Sequence, residues 1–193
     1  MINAPVGTIS VANGANFIVD QNADLRARRV IFSEDSVNEV GSLSLTTRTG
    51  GSVEIRSDIN PRLIAGNPSN AAGSIQITSP DVFLGIEGLT VGLTTVGSVD
   101  GGDITISGVD ASGLPDAASG TIHLAGSVTL DTTNGGASIG SSVNLVSDAT
   151  GAGVIRRQNG VANAALEITA GLGSLDIGDF DADARISNFT VVS

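Results

Sequence analysis

Side chains able to do chemistry are scarce in this sequence, and the scarcity is informative. The chain holds one histidine, no cysteine and no lysine, so all nine of its basic residues are arginine. Thiol nucleophiles, disulfides and thiolate-held metals are thereby excluded, as are Schiff-base and phosphate-loop lysines. His123 lies within Gly120-Thr-Ile-His-Leu124, in the slot filled elsewhere by Glu54, Gln76, Thr105, Thr129, Asn144, Glu167 and Asp176. That slot reads as the outward position of a strand. With no second histidine and no positioned nucleophile, His123 is expected to face solvent rather than to serve as base or metal ligand.

The most pointed acidic cluster is Asp176-Ile-Gly-Asp179-Phe-Asp181-Ala-Asp183-Ala-Arg185. Carboxylates at alternate positions of a loop suit Ca²⁺, so Asp179, Asp181 and Asp183 are the candidate metal ligands. Calcium is the one cofactor the sequence offers. Ala184 and Thr190 stand where an EF-hand loop requires Gly and Glu, and the competing reading is an acidic terminal loop, partly neutralised by Arg185, with Phe180 or Phe189 covering the end of the core. Asp100, Asp103, Asp110 and Asp116, around Gly101-Gly102, read as solvated loop aspartates. Outward Glu54, Arg56, Asp58, Glu87 and Glu167 could converge as the carboxylates of a polysaccharide-active site do. Without Lys, Trp or Tyr, however, the chain offers a sugar ring no evident aromatic platform and an acidic polymer little cationic surface. No enzymatic activity is expected.

The elements that must position these residues are strands. Two-residue alternation recurs in one pattern: a small residue, an aliphatic, a polar residue and another aliphatic. The expected buried pairs are Leu43/Leu45, Val53/Ile55, Ile75/Ile77, Ile104/Ile106, Ile122/Leu124, Val128/Leu130, Val143/Leu145, Leu166/Ile168 and Leu175/Ile177. Glycine at a fixed offset before many of these segments separates a β-solenoid, which makes the same corners in every coil, from a β-sandwich. Stacked coils also explain why aromatics are only 3% of the chain, because like aliphatic residues must form ladders in a narrow interior. At about 20 to 22 residues per turn, roughly nine coils and a rod about 40 Å long are expected.

The organisation is read as a single β-solenoid over 1–193, with weaker coils or a cap over 1–40, regular coils over 41–178 and an end or cap over 179–193. Thr8–Ala12, Phe17–Asp20 and Val30–Ser33 have strand character, while Gln21–Arg29 between them reads as a short helical turn or a capping loop. Asn60–Ala72 and Val109–Ser119 read as loops leaving the coil. Asn13-Gly14, Asn134-Gly135-Gly136 and Asn159-Gly160 read as bends. Thr46-Thr47, Thr94-Thr95 and Thr132-Thr133 are too irregularly spaced for an ice-binding face and read as outer polar residues.

Residues 70–88 (NAAGSIQITSPDVFLGIEG), followed by VDGGDITISGVDAS and GTIHLAGSVTLDTTNGGASIGS, resemble the repeat region of filamentous haemagglutinin-type adhesins, which are large bacterial surface proteins. The resemblance covers roughly residues 40 to 180. It implies a right-handed parallel β-helix, export across the outer membrane, and a part in adhesion, matrix or filament formation. The Asn-Pro-containing secretion domain of that family is not recognisable in this chain.

Charge sets the expected partners. A net charge of −11 opposes binding to phosphate backbones and anionic lipid, and no run of apolar residues is long enough for membrane insertion. Met1–Asp20 lacks a basic start and an unbroken apolar run, so it is not expected to be a signal peptide. Arg26, Arg28 and Arg29 are placed near one end of the rod, and Asp176, Asp179, Asp181 and Asp183 near the other. Head-to-tail self-association, or continuation within a longer adhesin chain, is the expected partnership, with surface glycans as a further partner. The expected role is extracellular, structural and adhesive, with a polysaccharide-binding or polysaccharide-degrading β-helix as the alternative.

Overall fold

In a computed structural model of the chain, the described residues are 1–19, 23–34, 36–40, 42–47, 50–61, 73–95, 102–108, 121–133, 139–146, 154–181 and 185–192. They form strands stacked in parallel, with no helix among them. The first two tiers contain β1 (Ile2–Val11) and β2 (Asn16–Val19), then β3 (Ala23–Phe32) and β4 (Val37–Val40). The third has β5 (Leu43–Thr46), β6 (Ser52–Ile55) and β7 (Ile59–Pro61), and the fourth β8 (Ile75–Thr78), β9 (Asp81–Leu84) and β10 (Thr90–Thr94). β11 (Ile104–Ser107), β12 (Thr121–Leu124) and β13 (Ser127–Asp131) follow, then β14 (Val143–Val146), β15 (Val154–Arg157) and β16 (Ala165–Thr169). β17 (Leu175–Ile177), β18 (Asp179–Phe180) and β19 (Asn188–Val192) make the last tier.

Three parallel ladders run through these tiers. Face one is β1, β3, β5, β8, β11, β14 and β17. Face two uses the second halves of β1 and β3, then β6, β9, β12, β15 and β18. Face three is a 7-stranded sheet from β2 to β19. The described strands thus stack seven deep, against the roughly nine turns expected from the sequence. Ladder partners Leu43 and Ile75 are 32 residues apart and Ile104 and Val143 are 39 apart, more than the roughly 20 to 22 residues per turn expected. The expected loops 62–72 and 109–119 lie outside the described residues.

Inward side chains make aliphatic columns. Leu25, Leu45, Ile77, Ile106 and Leu145 stack on face one, and Ile59, Leu93, Leu130 and Ile168 on face three, all fully buried. Of the nine expected pairs, all but Leu175/Ile177 are buried. That pair is half-buried because it lies in the last tier, where no described strand covers it. Phe180 and Phe189 stand on inward columns over Ile155 and Leu166, with ring centroids 5.2 Å apart.

Two expectations change. From Ala23 onward, the stretch read as a helical turn or cap is strand β3, paired with β1 and β5, with Ala23, Leu25 and Ala27 buried. Two of the three inward residues before Arg28 are alanine and the residues between them are charged, so the alternation is faint in the sequence. The threonines read as outer residues also turn inward: Thr47, Thr95, Thr132 and Thr133 are buried at corners. There Thr47 Oγ1 donates to Ser79 Oγ at 2.6 Å and Thr95 Oγ1 to the Gly102 carbonyl at 2.7 Å, which satisfies polar groups that a bend removes from the ladders.

Candidate functional site

The outward rows of faces one and two differ in chemistry. Face one presents Asp24, Ser44, Gln76, Thr105, Asn144 and Asp176 in register, a row of mostly uncharged polar residues. Face two presents Ile31, Glu54, Phe83, His123 and Arg156. Parallel in-register stacking puts each of these one strand spacing, about 4.8 Å, from the next. Residues up to 125 positions apart in sequence therefore share one strip of surface.

Glu54 is the anchor of that strip. Its Oε1 accepts hydrogen bonds from Arg29 Nε at 2.8 Å and from Arg29 Nη2, and its Oε2 accepts one from Arg56 Nη2 at 3.0 Å. The Glu54 side chain is 9% exposed, whereas Arg29 and Arg56 are 48% and 47% exposed. A carboxylate so enclosed has both oxygens engaged, so it fixes the two guanidinium groups rather than acting as a free base. Among the described residues, Arg29 Nη1 and Arg56 Nε and Nη1 make no hydrogen bond.

One tier on, the ring of Phe83 lies flat against that of His123, with centroids 4.4 Å apart and planes at 8°. Asp81 Oδ1 is 3.0 Å from His123 Nε2, which holds the imidazole in the stack. Register produces the stack, since Phe83 and His123 are ladder partners on β9 and β12. His123 does take the outward slot, but it is packed and hydrogen-bonded rather than simply solvated.

A cleft of about 550 Å³ opens beside these groups, lined by Arg29, Glu54, Arg56, Phe83, Glu87 and Gln158 among others. Its far wall is the turn at Asn159-Gly160, where Gly160 has φ of 87°. Glu87 Oε1 accepts from the Ala162 backbone N–H at 3.0 Å, and Arg157 Nη1 donates to the Ala162 carbonyl at 2.8 Å. The turn is thus tied to its own strand β15 through Arg157 and to the fourth tier through Glu87. No family model matches this chain. No curated protein and no solved structure matches it either.

The other residues singled out in the sequence are dispersed. Arg26 and Arg28 lie on β3, the second tier rather than the outermost strand. Arg26 Nη2 is paired with Asp24 at 3.0 Å, a hydrogen-bonded contact that raises the Arg26 pKa. Asp176 is exposed on β17 in the face-one row, beside Asn144. Asp179 opens β18, Asp181 Oδ2 is 3.4 Å from Arg156 Nε, and Asp183 lies outside the described residues. No group of three or more His, Cys, Asp or Glu that could hold a metal ion occurs among the described residues. Asp103 instead staples tiers, accepting from the Ser142 N–H at 3.0 Å and from Ser141 Oγ, while Asp100, Asp110 and Asp116 lie outside the described residues.

Of the outward charges that could converge, Glu54, Arg56 and Glu87 line one cleft. Asp58 accepts from the Gly92 N–H at 2.7 Å, and Glu167 is on face three. Arg29 and Phe83 were not expected at such a site. The available signal for Phe83 was its break of the alternation in Asp81-Val-Phe-Leu84, where an aromatic fills a slot that is polar in most other strands.

Proposed function

We propose that the chain is a non-enzymatic structural segment of an extracellular bacterial surface assembly, a stiff right-handed β-solenoid that extends by adding strands at its ends. The observation that carries this reading is the pair of open ends. Among the described residues, β1 and β2 pair on one side only, as do β17, β18 and β19. Such edges template further parallel strands. Exposed apolar residues lie at both, with Met1, Ile2 and Val6 at one end and Phe180, Phe189, Val191 and Val192 at the other. Right-handedness is the hand that parallel crossover connections take almost without exception. The polar, regular face one and the resemblance to filamentous haemagglutinin-type adhesins support the surface setting.

Strand addition and apolar contact drive the stacking in this reading, with charge in a minor part. Arg26 and Arg29 are already paired within the chain, to Asp24 and Glu54. Negative-stain electron microscopy over a range of concentrations tests the proposal, with V191K as the capped variant. Val191 continues the inward column above Ile168, so a lysine there places a charge on the end strand. Rods of uniform width that lengthen with concentration, shorten in V191K and change little with salt are expected. Single compact particles at every concentration would refute it.

A further inference from the structure

We infer that the face-two cleft is a binding site for a carboxylated sugar, such as a hexuronate residue of an acidic glycan. This goes beyond the structural role and does not depend on it. Two guanidinium groups face the cleft with N–H groups still free, and the buried Glu54 carboxylate between them holds their planes in place. A guanidinium fork prefers a planar, two-oxygen anion, and pre-fixed forks lose less freedom on binding it.

The surrounding walls fit the rest of such a ligand. Phe83, held in its stack with His123, lines the cleft and supplies apolar ring surface for the hydrophobic side of a pyranose. Glu87 Oε2 and Gln158 supply acceptors and a donor for ring hydroxyls at the opposite wall. With Arg29 and Arg56 set against Glu54 and Glu87, the cleft is close to neutral, in a chain of net charge −11. A ligand with one carboxylate and several hydroxyls is therefore favoured over a densely charged polymer, which the whole chain repels. The volume of about 550 Å³ lies within the range of about 300–1,000 Å³ in which small ligands bind.

The test compares methyl β-D-glucuronide with methyl β-D-glucoside, which differ only in a carboxylate against a hydroxymethyl group. The full chain is titrated with each by calorimetry and saturation-transfer NMR. The glucuronide is expected to bind with Kd of about 1 mM, and the glucoside at least about tenfold more weakly. R56Q is expected to erase that preference while its melting temperature stays close to that of the unsubstituted chain. F83L leaves every charge in place and keeps the test open if R56Q fails to fold; it should weaken both sugars about equally. Equal affinities for the two sugars, no saturation transfer to the glucuronide at about 20 mM, an unchanged preference in R56Q, or unchanged affinity in F83L would each overturn the inference. Rod length enters none of these readouts, so failure here and failure of strand addition are told apart.

Discussion

Replacing Gly126 by alanine should unfold the corner between β12 and β13, and the size of the effect follows from distances. A Cβ on Gly126 would stand 2.0 Å from the Ile86 carbonyl oxygen and 2.5 Å from its carbon, both backbone atoms of the preceding tier. Ordinary contact begins at 3.4 Å, so tiers about 4.8 Å apart would have to separate locally by more than an ångström. Two inter-tier bonds flank the corner, Ala125 N–H to the Leu84 carbonyl at 2.8 Å and Ser127 N–H to the Leu89 carbonyl at 3.3 Å. Losing both costs about 1–3 kcal/mol, and forcing a methyl into a close-packed place costs about 1–3 kcal/mol more. A loss of about 2–6 kcal/mol is therefore expected for G126A. The assay is guanidinium denaturation followed by far-ultraviolet circular dichroism, since the chain has no Trp or Tyr to report by fluorescence. G14A is the control. Gly14 has φ of 68° with nothing within 4 Å of the added Cβ, so only backbone strain of about 1–2 kcal/mol is expected. A G126A chain within about 0.5 kcal/mol of the unsubstituted one, or less perturbed than G14A, would refute the argument.

Two further outcomes follow from buried polar groups. E54Q removes the charge that holds Arg29 and Arg56 together and should cost about 1–3 kcal/mol, moderated because both arginines are half-exposed; thermal unfolding of E54Q beside R29Q and R56Q measures it. Asn38 occupies a core slot in the column between Phe17 and Ile59, where Nδ2 donates to Ser57 Oγ at 2.8 Å and to the Asp58 carbonyl at 3.0 Å. N38D would set a carboxylate against those oxygens and should lose about 3–5 kcal/mol at neutral pH. Burial raises that carboxyl's folded pKa above its unfolded value of about 3.9, so the variant should lose stability as pH rises from about 4. Denaturation midpoints at acid and neutral pH check the sign.

The regular strands were legible in the sequence because each carried its own alternation and a glycine corner, as Gly126-Ser-Val-Thr-Leu130 does. β4, β7, β9, β10, β15, β18 and β19 were not legible, and β9 and β15 show why. In Asp81-Val-Phe-Leu84 an outward phenylalanine hides the period, and in Val154-Ile-Arg-Arg157 an arginine stands where the column calls for an aliphatic, opposite Leu124. The length of a turn was hidden for a related reason, because the sequence between strands carries no periodic trace. The cleft was legible only in part. Glu54, Arg56 and Glu87 stood out as outward charges, but their meeting with Arg29 and Phe83 depends on register. Register is fixed by which aliphatic columns align across tiers, a long-range property that no local window contains.

Stacking in register is the central claim, and the absence of cysteine makes it directly measurable. D24C/D176C puts two spin labels on one outward row, 152 residues apart in sequence and five ladder steps apart through Ser44, Gln76, Thr105 and Asn144. At about 4.8 Å per step the labelled backbones are about 24 Å apart. Double electron–electron resonance on dilute protein should therefore give one narrow distance distribution centred near that value. A broad distribution, or a centre beyond about 40 Å, would contradict the parallel solenoid and everything built on its register.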